Sequence, residues 1–95
     1  MYYAYILQSE TTGRYYVGST DNIERRLSQH NDPGYQGSKT TKRFKGPWVL
    51  AYNQQFVTRS VAMERERRIK SWKSSKAIAG LIEKNRHSPD EPNRD

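Results

Sequence analysis

Ninety-five residues, 33% of them hydrophobic, suffice for one domain with a thin core. Seventeen Lys and Arg against ten Asp and Glu leave +7 at pH 7 and a sequence pI near 9.9, the electrostatic footprint of a protein that meets a polyanion. The lack of cysteine excludes disulfides and thiolate metal sites, two histidines are too few for zinc without carboxylates, and no apolar run approaches the roughly 20 residues that span a membrane.

The N-terminal Tyr2-Tyr3-Ala4-Tyr5-Ile6-Leu7 reads as a strand, with Tyr3, Tyr5 and Leu7 on one face. It has neither the basic start nor the long apolar run of a signal peptide, so a cytoplasmic setting is expected. Ser9 to Gly13 is turn-rich, and Arg14-Tyr15-Tyr16-Val17-Gly18 reads as a second strand, antiparallel to the first across that short loop. Asp21, with Glu24 three residues on, is positioned to cap a helix that carries Ile23, Leu27 and His30 or Asn31 on one face and stops before Pro33-Gly34.

Residues 32–47 form a basic loop that is long for a small domain and carries Tyr35, Lys39, Lys42, Arg43 and Lys45. Trp48 to Tyr52 reads as a third strand, with a possible extension to Val57. Thr58 or Ser60 is placed to cap a second helix with Ala62, Ile69 and Trp72 on its inner side and a charged outer side that includes Glu64, Glu66 and Lys70. Ser74-Ser75 marks a break before a third helix with Ile78, Leu81 and Ile82. Residues 1–84 are expected to form the domain and 85–95 a polar, disordered tail. The order β-β-α-β-α-α implies an α+β fold with a small, mostly antiparallel three-stranded sheet in one layer pair with its helices. The spacing leaves the direction of the third strand open.

Tyr3-Ala4-Tyr5, ten residues, then Tyr16-Val17-Gly18 resembles the signature of the GIY-YIG nucleases, with Tyr3 in place of the first Gly and Val17 in place of Ile. Arg26 stands eight residues past Gly18, where the family carries an Arg, and His30 four residues further on matches a His of some members. Ile23-Glu24-Arg25-Arg26-Leu27 and Glu66-x-x-Ile69-Lys70-x-Trp72 resemble the small stand-alone bacterial branch, and the likeness runs over residues 1–83. The resemblance implies a DNA endonuclease that uses Mg²⁺ or Mn²⁺, with Tyr5, Tyr16, Arg26, His30 and Glu64 in the catalytic site. Glu64 is the expected metal ligand and Glu66 the weaker candidate. Where several relatives have an Asn twelve residues after that Glu, this chain has Lys76.

The residue chemistry is compatible with that assignment. Phosphodiester hydrolysis needs a nucleophilic water, a cation on the phosphate and neutralisation of the transition state. A tyrosine with an ordinary pKa near 10 serves as base only beside a cation. Arginine clamps phosphate through two donors, and one carboxylate suffices for Mg²⁺, which keeps waters and takes phosphate oxygens. Taken singly, Tyr5 and Tyr16 are ordinary strand residues, Arg26 a surface arginine and Glu64 a solvated carboxylate that pairs along its helix. His30 divides between proton transfer and a cationic helix C-terminus.

Gly18, Lys39, Lys42, Arg43, Lys70, Lys73 and Lys76 are candidate nucleic-acid contacts, and Tyr35 is a candidate for base stacking. DNA is the expected partner, with RNA the alternative and a second protein supplying target choice. The competing reading is a module that binds nucleic acid on the same basic face without cutting it.

Overall fold

In the computed structural model, residues 1–32, 34–35 and 46–86 are described. Three strands, β1 (Tyr2–Ser9), β2 (Tyr15–Thr20) and β3 (Trp48–Phe56), form one sheet in the order β2-β1-β3, with both pairings antiparallel. The helices are α1 (Ile23–Asn31), α2 (Arg59–Ser71) and α3 (Ser75–Arg86). The element order and α+β class match the sequence expectation. The direction of β3, which spacing left open, is set by its antiparallel register along the free side of β1.

β1 is the central strand, and Ala4, Tyr5, Ile6 and Leu7 are all buried. Alternation of side chains divides them between two faces. Tyr5 and Leu7 pack with Trp48, Tyr16, Ile23 and Leu27, so α1 covers that face. Ile6 packs with Val17, Tyr52, Ile69 and Ile82, with Trp72, Ile78 and Leu81 around them, so α2 and α3 cover the other. The single layer pair expected from the sequence is therefore corrected to a sheet between two helical layers. The run of apolar residues in β1 is the mark of a strand buried on both faces.

Local chemistry sets the element ends. In the β1–β2 turn, the Ser9 hydroxyl accepts from the Thr11 and Thr12 amides at 3.3 and 3.1 Å, and Gly13 takes a positive φ of 77° that suits glycine. Helix α1 is capped by Asn22, whose Oδ1 accepts from the Arg25 amide at 3.0 Å. Asp21, the expected cap, stands one residue too early; its carboxylate instead accepts from the Arg25 guanidinium at 2.6 Å. Thr58 caps α2 through Val61, and Ser74 receives the Ala77 amide at the start of α3. α3 continues through Arg86, two residues beyond the boundary expected at 84; the remaining tail, 87–95, lies outside the described residues.

The start of β3 is held from a distance. The Asn31 side chain donates to the Trp48 carbonyl and accepts from the Trp48 amide, both at 2.8 Å, so the last residue of α1 acts as a strand partner for β3. A one-residue register shift follows between Ile6 and Leu7, where β1 passes from Tyr52 to Leu50 and Ala51 becomes the extra residue.

Candidate active site

The two tyrosines of the signature meet on the α1 face of the sheet. Tyr5 lies opposite Gly18 and Leu7 opposite Tyr16 in the β1–β2 ladder, so Tyr5, Tyr16 and Gly18 share that face. Gly18 is needed there for a steric reason. A Cβ at Gly18 would stand 2.6 Å from Tyr5 Oη and 2.8 Å from Tyr5 Cζ, so the phenol occupies the space a side chain would fill. The absence of a side chain at Gly18 thus gives the Tyr5 phenol its room.

Helix α1 supplies the next two groups one turn apart. His30 is 2% exposed, and its Nε2 lies 3.0 Å from Tyr5 Oη and 3.5 Å from Arg26 Nη2. A guanidinium can only donate, so Nε2 is the lone-pair nitrogen and the Tyr5 hydroxyl donates to it as well. The rings of Tyr16 and His30 are tilted against each other with centroids 4.7 Å apart. Arg26 Nη1 also donates to Gln29 Oε1 at 2.7 Å and to Tyr35 Oη at 3.4 Å. Its guanidinium lies 6.0 Å from the Tyr35 ring centroid. Tyr35, read in the sequence as a base-stacking residue, here helps position Arg26.

Burial separates the tyrosines. Burial pushes the Tyr5 phenol up to about 12, against the lowering effect of its hydrogen bond with Arg26. The charges of Tyr16 and Glu66 also act to raise it, and that of Arg26 to lower it. Tyr5 therefore keeps its proton at neutral pH. Tyr16 is the more exposed of the pair. Burial pulls the Arg26 guanidinium down, but the hydrogen bond with Tyr5 and the neighbouring tyrosines outweigh it and hold Arg26 above its ordinary value.

The carboxylate whose charge acts on Tyr5, that of Glu66, comes from α2. Glu64, the expected metal ligand, is exposed. Glu66 is turned to the sheet; its side chain is 18% exposed, Oε1 accepts from Ser19 Oγ at 2.7 Å, and Oε2 pairs with Lys70 Nζ at 2.7 Å. Two residues in a helix are separated by about 200°, so the positions cannot share a face. Four residues after buried Ala62 and three before buried Ile69, Glu66 lies on the inner side of α2 and not on the charged outer side expected from the sequence; that spacing is the signal that could have found it. Ser19 pairs with Ala4, on the sheet face opposite Tyr5, so Glu66 and the tyrosine cluster flank edge strand β2 from its two sides.

Among the described residues there is no group of three or more His, Cys, Asp and Glu able to hold a metal ion. Of the expected nucleic-acid contacts, Lys70 is engaged with Glu66, Lys73 follows α2 with a left-handed backbone, and Lys76 is exposed in the first turn of α3. Lys39, Lys42 and Arg43 lie outside the described residues. No helix among the described residues is long and apolar enough to cross a membrane.

A family model described as the GIY-YIG catalytic domain matches residues 1–79. The chain is 40% identical over 82 residues to the structure-specific endonuclease subunit SLX1 of Meyerozyma guilliermondii, covering 83% of this chain and 28% of that protein. It is 36% identical over 82 residues to a UPF0213 protein of Staphylococcus saprophyticus, covering 86% of this chain and 95% of that protein. The solution NMR structure of the UPF0213 protein BH0048 from Bacillus halodurans superposes with a TM-score of 0.50 at 26% identity, over 99% of this chain and 95% of that one. The chain thus spans less than a third of the SLX1 subunit and nearly all of the Staphylococcus saprophyticus protein. The paired tyrosines across Gly18, the arginine and histidine of α1, and a likeness that runs from the first residue into α3 carry one conclusion: this chain belongs to the GIY-YIG family.

Proposed function

We propose that this protein is an endonuclease that hydrolyses phosphodiester bonds in DNA with the help of a divalent cation. The observation that carries the reading is the cluster of Tyr5, Tyr16, Arg26 and His30 on one side of β2, with the Glu66 carboxylate on the other. In this reading Tyr16, the more accessible of the two, gives its own proton to solvent and, as a tyrosinate held by the nearby charge of Arg26, orients the attacking water and takes a proton from it. Tyr5, protonated and bonded to His30, is a positioning residue that holds the imidazole against Tyr16. Arg26 also donates to the oxygens of the scissile phosphate as charge builds on them.

Glu66 takes the role that the sequence resemblance gave to Glu64. Its hard oxygen donors, half-buried beside Ser19, fit Mg²⁺ or Mn²⁺, and a single protein carboxylate is sufficient for an ion that keeps waters and takes phosphate oxygens. When bound, such a cation supplies Lewis acidity at the phosphate. With Glu66 as ligand, the residue twelve positions on is Ile78 rather than Lys76; Ile78 packs against the core and has no side-chain amide. The SLX1 relative is named as a subunit and is much longer than this chain, which supports a partner protein that selects the target.

A second reading has its own observation. Lys70 already neutralises Glu66 Oε2 at 2.7 Å, an arrangement that suits a nucleic-acid-binding module with no need of a cation. Incubation with labelled single-stranded, duplex and branched DNA in Mg²⁺, Mn²⁺ or EDTA separates the two. The nuclease cuts only with the cation, and Glu66→Gln and Arg26→Ala each lose about a hundredfold or more in rate while Glu64→Gln stays near wild type. Cutting that survives in EDTA or in Glu66→Gln would rule out the metal role; tight binding with no cutting by wild type would select the binding module.

A further inference from the structure

Beside Ser19, at the end of the sheet where β2 leaves and α2 begins, lies a cleft of about 230 Å³ that the chemistry above does not use. Two guanidiniums border it, Arg25 and Arg59, against the single carboxylate of Asp21. Asp21 pairs with Arg25 at 2.6 Å, but the arginine side chain remains 52% exposed, so its other donors face solvent. Arg59 lies over the Tyr2 ring, 5.6 Å from its centroid, and Met63 adds an apolar wall. The lining thus combines donors for a phosphate, an aromatic face and an apolar surface, with net positive charge. Ser19 belongs both to this cleft and to the hydrogen bond that orients Glu66.

We propose that this cleft is a nucleotide subsite that receives an unpaired nucleotide flanking the phosphate to be cut, with Arg25 and Arg59 on its phosphate and Tyr2 against its base. Shared use of Ser19 sets the subsite beside Glu66. An aromatic ring can stack only on a base whose face its duplex neighbours do not already cover, so the cleft favours a strand that is unpaired next to a duplex. Aromatic stacking is tolerant of base identity, so the subsite reads structure and not sequence. The inference rests on the nuclease reading for its place along the strand, but its test is on binding.

The test measures fluorescence anisotropy of wild type, Arg25→Ala, Arg59→Ala and Tyr2→Leu in EDTA, with a duplex that carries a single-stranded overhang and with the same duplex blunt. Lys84→Ala, which removes an exposed charge on α3, is the control. Each arginine variant is expected to bind the overhang about three- to tenfold more weakly, and Tyr2→Leu about as much, with smaller changes on the blunt duplex. Thermal melting confirms that each variant folds. Unchanged overhang binding in both arginine variants, or an equal loss in Lys84→Ala, would overturn the subsite. Wild-type binding without metal-dependent cutting would instead overturn the nuclease reading and leave the cleft result to be judged on binding. Failure of wild type to bind either DNA would overturn both.

Discussion

Tyr5 is the residue on which the site geometry turns, because it is buried and its hydroxyl is committed to His30. With its phenol pushed up to about 12 from an ordinary value of 10, the folded chain holds a proton that the unfolded chain has released above pH 10. The stability that Tyr5 confers is thus intact below pH 10 and falls by roughly 2–3 kcal/mol as pH rises to about 12. Tyr5→Phe loses the hydrogen bond, at a cost of about 1 kcal/mol near neutrality, but has no proton to lose. Denaturation midpoints of the two proteins should therefore converge between pH 9 and pH 11; a constant gap would show that the burial is not felt. Gly18→Ala tests the same contact from the other strand. A methyl group 2.6 Å from Tyr5 Oη must push the ring aside, at about 1–3 kcal/mol of stability and with loss of cutting, measurable by melting and by nuclease assay on one preparation.

At the scale of elements, the helix ends show where stability can be changed without touching the site. Lys73 directly follows the C-cap residue of α2 with φ at 51°, a conformation that costs a side-chain-bearing residue and suits glycine. Lys73→Gly should raise stability by about 1 kcal/mol, seen as a higher midpoint in urea with an unchanged slope. Thr58→Ala should lower it by about 1 kcal/mol through loss of the α2 cap that accepts from Val61. α2 carries both Ile69, fully buried under the sheet, and Glu66, so any shift of this helix moves the carboxylate with it. Ile69→Ala should cost about 2–5 kcal/mol, a large share of the stability of so small a domain.

The whole molecule carries +7, and its binding to nucleic acid is expected to be governed by salt. If about four phosphates are engaged, affinity should fall by roughly a hundredfold between 50 and 200 mM salt, read from the slope of log Kd against log salt. A flat slope would show that the net charge does not face the ligand. The clustering of signature residues around β2 gives that charge a direction. Arg26 stands on one side of the strand, and Arg25 and Arg59 border the cleft by its end. A strand of DNA that crosses the β2 edge would meet all three.

Local rules were sufficient for much of this. Alternation in the strands, the Thr58 cap, the Ser74-Ser75 break and the stripe of Ala62, Ile69 and Trp72 depend on neighbours a few residues away, and they specify the element order and the apolar core stripe of α2 from sequence alone. The residues that the signature spacing singled out, Tyr5, Tyr16, Arg26 and His30, lie together in the fold. Three things needed the tertiary structure. Glu66 meets Ser19 while Glu64 stays exposed only because α2 packs on β2; the antiparallel direction of β3 comes from its register along β1; and Tyr5 is more deeply buried than Tyr16 only under α1. Each is a contact between distant segments, and burial, which sets both pKa and accessibility, exists only once those segments have packed.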